Sequence, residues 1–170
     1  MDAAARKIVI EAIKTAIITE LRGYEIYRAA AERADDPSAR LMFHKLAEDE
    51  RHHKEFLEQN FRSVLDRGEW AVPATPQNLS PLDDSDIVHS DFLRRVKGGS
   101  FETAVVAAGV ELEMSAIRYY KQAAAECPDP ESARTFHFLA EWEDDHLRSL
   151  TELQERLKQE YFANQGFVPL

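Results

Sequence analysis

Cysteine is almost absent from this chain: Cys127 is the only one in 170 residues. That excludes a disulfide within the chain and any iron site built from several thiolates, and it fits a reducing compartment. Long apolar runs are missing too, and no stretch approaches the ~20 residues that cross a bilayer. Basic residues are the minority, with 21 Lys and Arg against 31 Asp and Glu and a net charge of −10. No nucleic-acid partner is expected, and there is no basic patch for an anionic membrane. The opening residues Met1-Asp2-Ala3-Ala4-Ala5-Arg6 lack the charged-then-apolar build-up of a secretory signal. The expected location is cytoplasmic.

What the chain does have is a repeat. Laying 20–53 on 113–146 without a gap gives thirteen identities over 34 positions. Helical sequences share Ala, Leu and Glu cheaply. Tyr27/Tyr120, Asp36-Pro37/Asp129-Pro130, Phe43-His44/Phe136-His137 and two Glu-x-x-His pairs in one phase are harder to obtain that way. The pattern reads as an internal duplication of a helix hairpin.

Periodicity and punctuation place four long helices. The first is expected over about 3–33, with Ile10, Ile13, Ile17, Glu20, Tyr24 and Tyr27 on one face and Ala16 and Gly23 beside them. The second starts at Asp36-Pro37, with Asp as N-cap and Pro in the first turn, and runs to about Leu65. It turns Phe43, Leu46, Glu50, His53 and Leu57 inward. The third follows Gly98-Gly99 with Ser100 as its cap and carries Val106, Val110, Glu113, Ile117 and Tyr120. The fourth starts at Asp129-Pro130 and reaches about Phe162, with Phe136, Leu139, Glu143, His146, Leu150 and Leu153 inward. Residues 67–99 join the halves, punctuated by Pro73, Pro76 and Pro81, with a short helix expected over Leu82–Val96. The expectation is one all-α domain: hairpin one over 3–66, a long crossover connection over 67–99, hairpin two over 100–163 and a loose tail over 164–170.

The chemistry lies on the inward faces. Glu20, Glu50 and His53 recur as Glu113, Glu143 and His146. In an antiparallel hairpin, residues equidistant from the turn sit level. The midpoint of Glu20 and Glu50 is position 35, and that of Glu113 and Glu143 is 128, both inside the Asp-Pro turns. Each hairpin therefore brings its lone Glu level with its Glu-x-x-His pair, whose members share one face at i,i+3. Four carboxylates and two imidazoles suit two divalent ions, since carboxylates bridge metals ~3.5–4 Å apart. Without a counter-charge, four buried carboxylates would be costly or would protonate. A lone Glu-x-x-His says little. Six residues in register with both turns say much more.

Other repeated residues have plainer readings. His44 with Glu48 and His137 with Glu141 read as solvated pairs on the outer face, and His52 and His89 as surface residues. Tyr27 and Tyr120, seven residues past each lone Glu, either hydrogen-bond a ligand carboxylate or simply fill the core. Gly23 and Ala116 leave room for a small oxidant or let helices approach. Phe138 and Trp142 replace Lys45 and Asp49 of the first copy. That aromatic face is expected to be buried by the 67–99 connection or by a partner subunit.

Over roughly residues 5–160 the chain resembles the rubrerythrin branch of the ferritin-like di-iron proteins. The carriers are Glu20-Leu-Arg-Gly-Tyr-Glu-Ile-Tyr27, Leu46-Ala-Glu-Asp-Glu-Arg-His-His53, Glu113-Met-Ser-Ala-Ile-Arg-Tyr-Tyr120 and Leu139-Ala-Glu-Trp-Glu-Asp-Asp-His146. The resemblance implies a ferritin-like bundle holding two iron ions through Glu20, Glu50, His53, Glu113, Glu143 and His146. Manganese or a mixed pair suits the same donors. It also implies reduction of hydrogen peroxide or dioxygen at that centre. The four-cysteine rubredoxin domain of peroxide-reducing rubrerythrins has no counterpart here, so electrons would come from another protein or directly from iron(II). Ala116 stands where those enzymes carry an extra Glu, which brings the set closer to the symmetric six ligands of bacterioferritin. The expectation is a homodimeric di-iron oxidoreductase. Ferritin-type iron oxidation and storage, or a non-catalytic metal-stabilised scaffold, are the alternatives.

Overall fold

In the computed structural model, residues 1–74 and 100–164 are described. They form four helices: α1 Ala3–Arg33, α2 Pro37–Arg67, α3 Ser100–Glu126 and α4 Pro130–Asn164. Both Asp-Pro turns lie where the sequence puts them. Asp36 accepts from the backbone N–H of Ser38 and Ala39 at 2.8 and 2.9 Å. Asp129 accepts from the N–H of Ser132 at 2.9 Å and from its hydroxyl at 2.7 Å. Each pairing satisfies donors that a helix start leaves open. Gly68 ends α2 at φ +74°, a conformation that costs other residues a Cβ clash. Ser100, expected to cap α3, is already helical.

Each short turn folds a helix back on its predecessor, so α1 lies along α2 and α3 along α4, while α1 meets α3 more narrowly. Two apolar clusters fill the bundle. One holds Val9, Ile13, Phe56, Leu57, Tyr120, Phe136 and Leu139. The other holds Tyr27, Met42, Phe43, Leu46, Val106, Leu150 and Leu153. The start of α1 thus packs with the end of α3, so these two helices run antiparallel. The α2 C-terminus and the α3 N-terminus belong to opposite clusters. At the second end, buried Glu102 of α3 accepts from the Asp35 N–H in the first turn at 3.1 Å. Residues 75–99 of the crossover, with the short helix expected over 82–96, fall outside those described, as does the tail beyond 164.

The buried stripe of α1 is rotated slightly from expectation. It runs Val9, Ile13, Ala16, Glu20, Gly23, Tyr27, Ala30. Ile10, Ile17 and Tyr24 sit at its flank and are half-buried. The centre line faces the other helices most closely, so Ala and Gly occupy it and the bulkier side chains take the edges. Val110 of α3 is likewise half-buried, whereas the inward residues expected of α2 and α4 are all buried.

The segment after α2 is fastened across one end of the bundle. Buried Asn60 accepts from the N–H groups of Ala71 and Val72 at 2.9 and 3.0 Å and donates to the Phe56 carbonyl at 3.1 Å. Trp70 inserts its ring between Phe56 and Phe136 and donates to Ser132 at 2.9 Å. Asn60→Ala would leave two backbone donors without their acceptor, at roughly 1–3 kcal/mol each. Urea unfolding should show a loss of about 2–4 kcal/mol. An unchanged midpoint would mean that the strap contributes nothing to stability.

Candidate metal centre

Between the two apolar clusters lies a polar layer. Glu20, Glu50, His53, Glu113 and Glu143 are at most 2% exposed, and His146 is 6% exposed. Their donor atoms fall into two overlapping groups, Glu20/Glu50/His53/Glu143 and Glu50/Glu113/Glu143/His146, with atoms within 4.8 Å of one another in each. Glu50 and Glu143 belong to both. Glu20 with His53 lies on one side and Glu113 with His146 on the other. The structure therefore brings together all six residues that the sequence singles out.

Both imidazoles turn Nδ1 inward. His53 Nδ1 is 3.2 Å from Glu20 Oε2 and 3.4 Å from Glu143 Oε1. His146 Nδ1 is 3.1 Å from Glu143 Oε2 and 3.6 Å from Glu50 Oε1. The two rings are 5.9 Å apart and inclined by 23°. Tyr27 donates to Glu113 Oε1, and Tyr120 donates to Glu20 Oε1. Each tyrosine thus holds the lone Glu of the opposite hairpin, so the tyrosines contact the carboxylates as well as filling the core.

Gly23 serves a purpose other than either one expected of it. A Cβ there would come within 2.7 Å of Glu50 Cδ and within 3.0 Å of both carboxylate oxygens. The missing side chain makes room for a shared carboxylate. Gly109, at the position equivalent to Ala16, does the same for the Tyr27 hydroxyl, which would lie 3.0 Å from a Cβ. Sequence reasoning passed over Gly109, although a glycine inside a long helix is itself a signal of close approach.

His44, His52 and His137 are not among the donors of this layer. His44 and His137 are exposed, as the outer-face reading requires. His52, expected at the surface, is half-buried and accepts from Arg51 at 2.9 Å through Nε2. Burial and that neighbouring cation lower its pKa. His89 falls outside the described residues. Phe138 and Trp142 are half-buried among the described residues, with their rings stacked 6.3 Å apart. Trp142 also meets His53 edge-on at 5.7 Å. The aromatic face therefore reaches inward to the polar layer.

Electrostatics show why the layer needs a counter-charge. Burial, and next the neighbouring Glu143, raise Glu20, Glu50 and Glu113 well above the usual carboxylate range. Glu143 goes the other way. Burial opposes its charge, but His146 and His53 together hold it below that range. Burial also opposes charge on His146, yet Asp49, Glu143 and Glu50 outweigh it and raise its pKa. Among the described residues, Glu143 Oε1 has no hydrogen-bond partner. Oxygen and imidazole donors in two groups, sharing two carboxylates, fit two divalent ions of the iron or manganese kind. The carboxylate charge of the four Glu would balance such a pair.

The rubrerythrin family model matches residues 11–80, which include Glu20, Glu50 and His53. Over those residues the chain is similar to rubrerythrin. Its all-α bundle is consistent with the ferritin-like fold, and the match suggests a di-iron carboxylate protein. The rubrerythrin match ends before the second hairpin, which carries the same motif through the internal repeat. No curated protein and no solved structure matches the chain. No helix among the described residues is long and apolar enough to cross a membrane.

Two expected outcomes follow from this layer. Gly23→Ala should fold at least as stably as the parent, since Ala gains up to ~1 kcal/mol in a helix. It should nonetheless bind metal more weakly, because Glu50 must move. Calorimetry with metal analysis would show both, and unchanged affinity would refute the role given to Gly23. The second outcome concerns pH. Glu20, Glu50, Glu113 and His146 have raised pKa values in the folded chain, so the folded metal-free chain holds protons that the unfolded chain releases. Their stabilisation is present at low pH and is lost as pH rises above ~4.3 for Glu and ~6.5 for His. Glu143, depressed, contributes with the opposite sign and loses its share as pH falls. Metal binding expels the retained protons and strengthens as pH rises. The gap between metal-loaded and metal-free melting temperatures should therefore widen from pH 5.5 to 8, and a narrowing gap would contradict this account.

Proposed function

We propose that the chain is a di-iron oxidoreductase that reduces hydrogen peroxide or dioxygen at a carboxylate-bridged centre. The observation that carries this reading is the sharing of Glu50 and Glu143 between the two donor groups. In it, Glu20 and His53 would hold one ion, Glu113 and His146 would hold the other, and Glu50 and Glu143 would serve both. Bound iron(II) would supply one electron per ion, so a pair carries the two electrons that take hydrogen peroxide to water.

The chain's own groups fix the geometry. Tyr27 and Tyr120 hold Glu113 and Glu20 by hydrogen bonds, which leaves those carboxylates fewer orientations. Burial and the charge of neighbouring Glu113 push the Tyr27 pKa well up, so its phenol stays a donor. The apolar clusters above and below exclude bulk water and lower the local dielectric. The reductant would be an external electron-donor protein, and the assembly a homodimer.

Metal analysis should find about two divalent ions per chain, because each donor group serves one ion. Glu50→Ala and Glu143→Ala should each lose at least one. Full occupancy in both variants would overturn the site. Loaded anaerobically with iron(II), the protein should oxidise on adding peroxide faster than on adding dioxygen, as followed by stopped-flow absorbance. Faster reaction with dioxygen would favour iron oxidation and storage. Inertness to both would favour a scaffold.

A further inference from the structure

The six donors and the two tyrosines follow the repeat, although Gly23 beside Glu50 has Ala116 as its counterpart. Tyr27 and Tyr120 exchange matching hydrogen bonds between hairpins. The symmetry breaks at one pair of equivalent positions behind the histidines, Asp49 and Trp142. Asp49 Oδ2 lies 3.5 Å from His146 Nε2, the ring nitrogen that points away from the carboxylates. Neither Nε2 has a hydrogen-bond partner among the described residues; what differs is that a carboxylate faces that of His146, while none there faces that of His53. Trp142 stands beside that ring, perpendicular to it at 5.7 Å.

A metal bound at Nδ1 puts the imidazole proton on Nε2, and that N–H needs an acceptor. A carboxylate there orients the ring and makes the ligand more basic, and its loss typically costs 10–100-fold in metal affinity. The Asp49 side chain is 21% exposed, so it is not locked by packing and needs to close only a few tenths of an ångström to bond His146. An indole offers His53 at most a weak N–H···π contact. Asp49 also adds negative charge on the His146 side, which favours a cation there by the same sign.

We propose that Asp49 is a positioning residue that makes the two metal positions unequal. The Glu113/His146 position binds more tightly and fills first, and the Glu20/His53 position is the weaker, exchangeable one. This inference rests on the reading of the six residues as a two-metal centre.

Cobalt(II) is a suitable probe, since it is redox-stable and shifts the proton resonances of bound imidazoles. Calorimetric titration of the metal-free protein should show two steps separated by at least tenfold. After one equivalent, one solvent-exchangeable, paramagnetically shifted imidazole N–H should appear, and the second should come with the second equivalent. In Asp49→Asn the first step should weaken ~10–100-fold, so that the steps merge and the first N–H signal moves or exchanges faster. Trp142→Phe keeps the ring environment aromatic and should leave the first step unchanged. If Asp49→Asn does not fold, Asp49→Ser, at the same half-exposed position, makes the same comparison. Two ions bound with equal affinity in the parent, or unaltered steps and N–H signals in the Asp49 variants, would overturn the inequality while leaving the centre standing. Failure of the parent to take up two ions would instead overturn the underlying reading.

Discussion

Four carboxylates buried between two apolar clusters are the constraint that the rest of this bundle accommodates. Glu20, Glu50, Glu113 and Glu143 lie almost wholly out of water and close enough to repel one another. Burial of that kind is tolerated only with compensation. Two imidazoles and two phenols face the carboxylates and supply part of it. The raised pKa values of three of the Glu show that this part is incomplete. Protons complete it in the metal-free chain, and two divalent ions would complete it with charges placed where the oxygens already converge. The helices have only to be long and straight enough to hold the layer at mid-height, with dry packing on both sides.

Much of this was legible in the sequence because it depends on short-range rules. The Asp-Pro turns are local chemistry, and the hairpin register follows from counting outward from them. Glu20 sits level with Glu50, and Glu113 with Glu143, for that reason alone. The faces of α2 and α4 were also legible, since their bulky apolar residues mark one stripe. The face of α1 was less so. Ile10, Ile17 and Tyr24 are far bulkier than Ala16 and Gly23 and dominate the apolar pattern, but the middle of the interface selects for smallness.

What stayed hidden are contacts that cross between helices and depend on where a side chain's far end goes. That Gly23 yields its space to Glu50 depends on the rotamer of a residue on another helix. The pairing of Tyr27 with Glu113, rather than with Glu20 two turns back on its own helix, needs the docking of the two hairpins. The aromatic pair Phe138 and Trp142 signalled that its face differs from the one bearing Lys45 and Asp49. Composition alone suggested an outside cover. The structure adds that the Trp142 ring reaches His53, so at least part of the asymmetry belongs to the polar layer.

Duplication would build a two-metal centre economically, since one hairpin supplies half of the donor residues and its copy supplies the rest. It also imposes sameness, because equivalent residues meet equivalent surroundings wherever the copies agree. A pair of identical positions would bind, lose and reduce alike. Differences must then come from residues that have diverged, and those that matter most are the ones whose atoms reach the donors. Lys45 and Phe138 differ too, but neither lies against an imidazole among the contacts of the polar layer. Asp49 and Trp142 both do. Substitution there leaves all six donors intact and changes only what stands behind them. It is a low-cost route from a symmetric fold to a centre with two distinct halves, because neither the helix register nor the dry packing has to change.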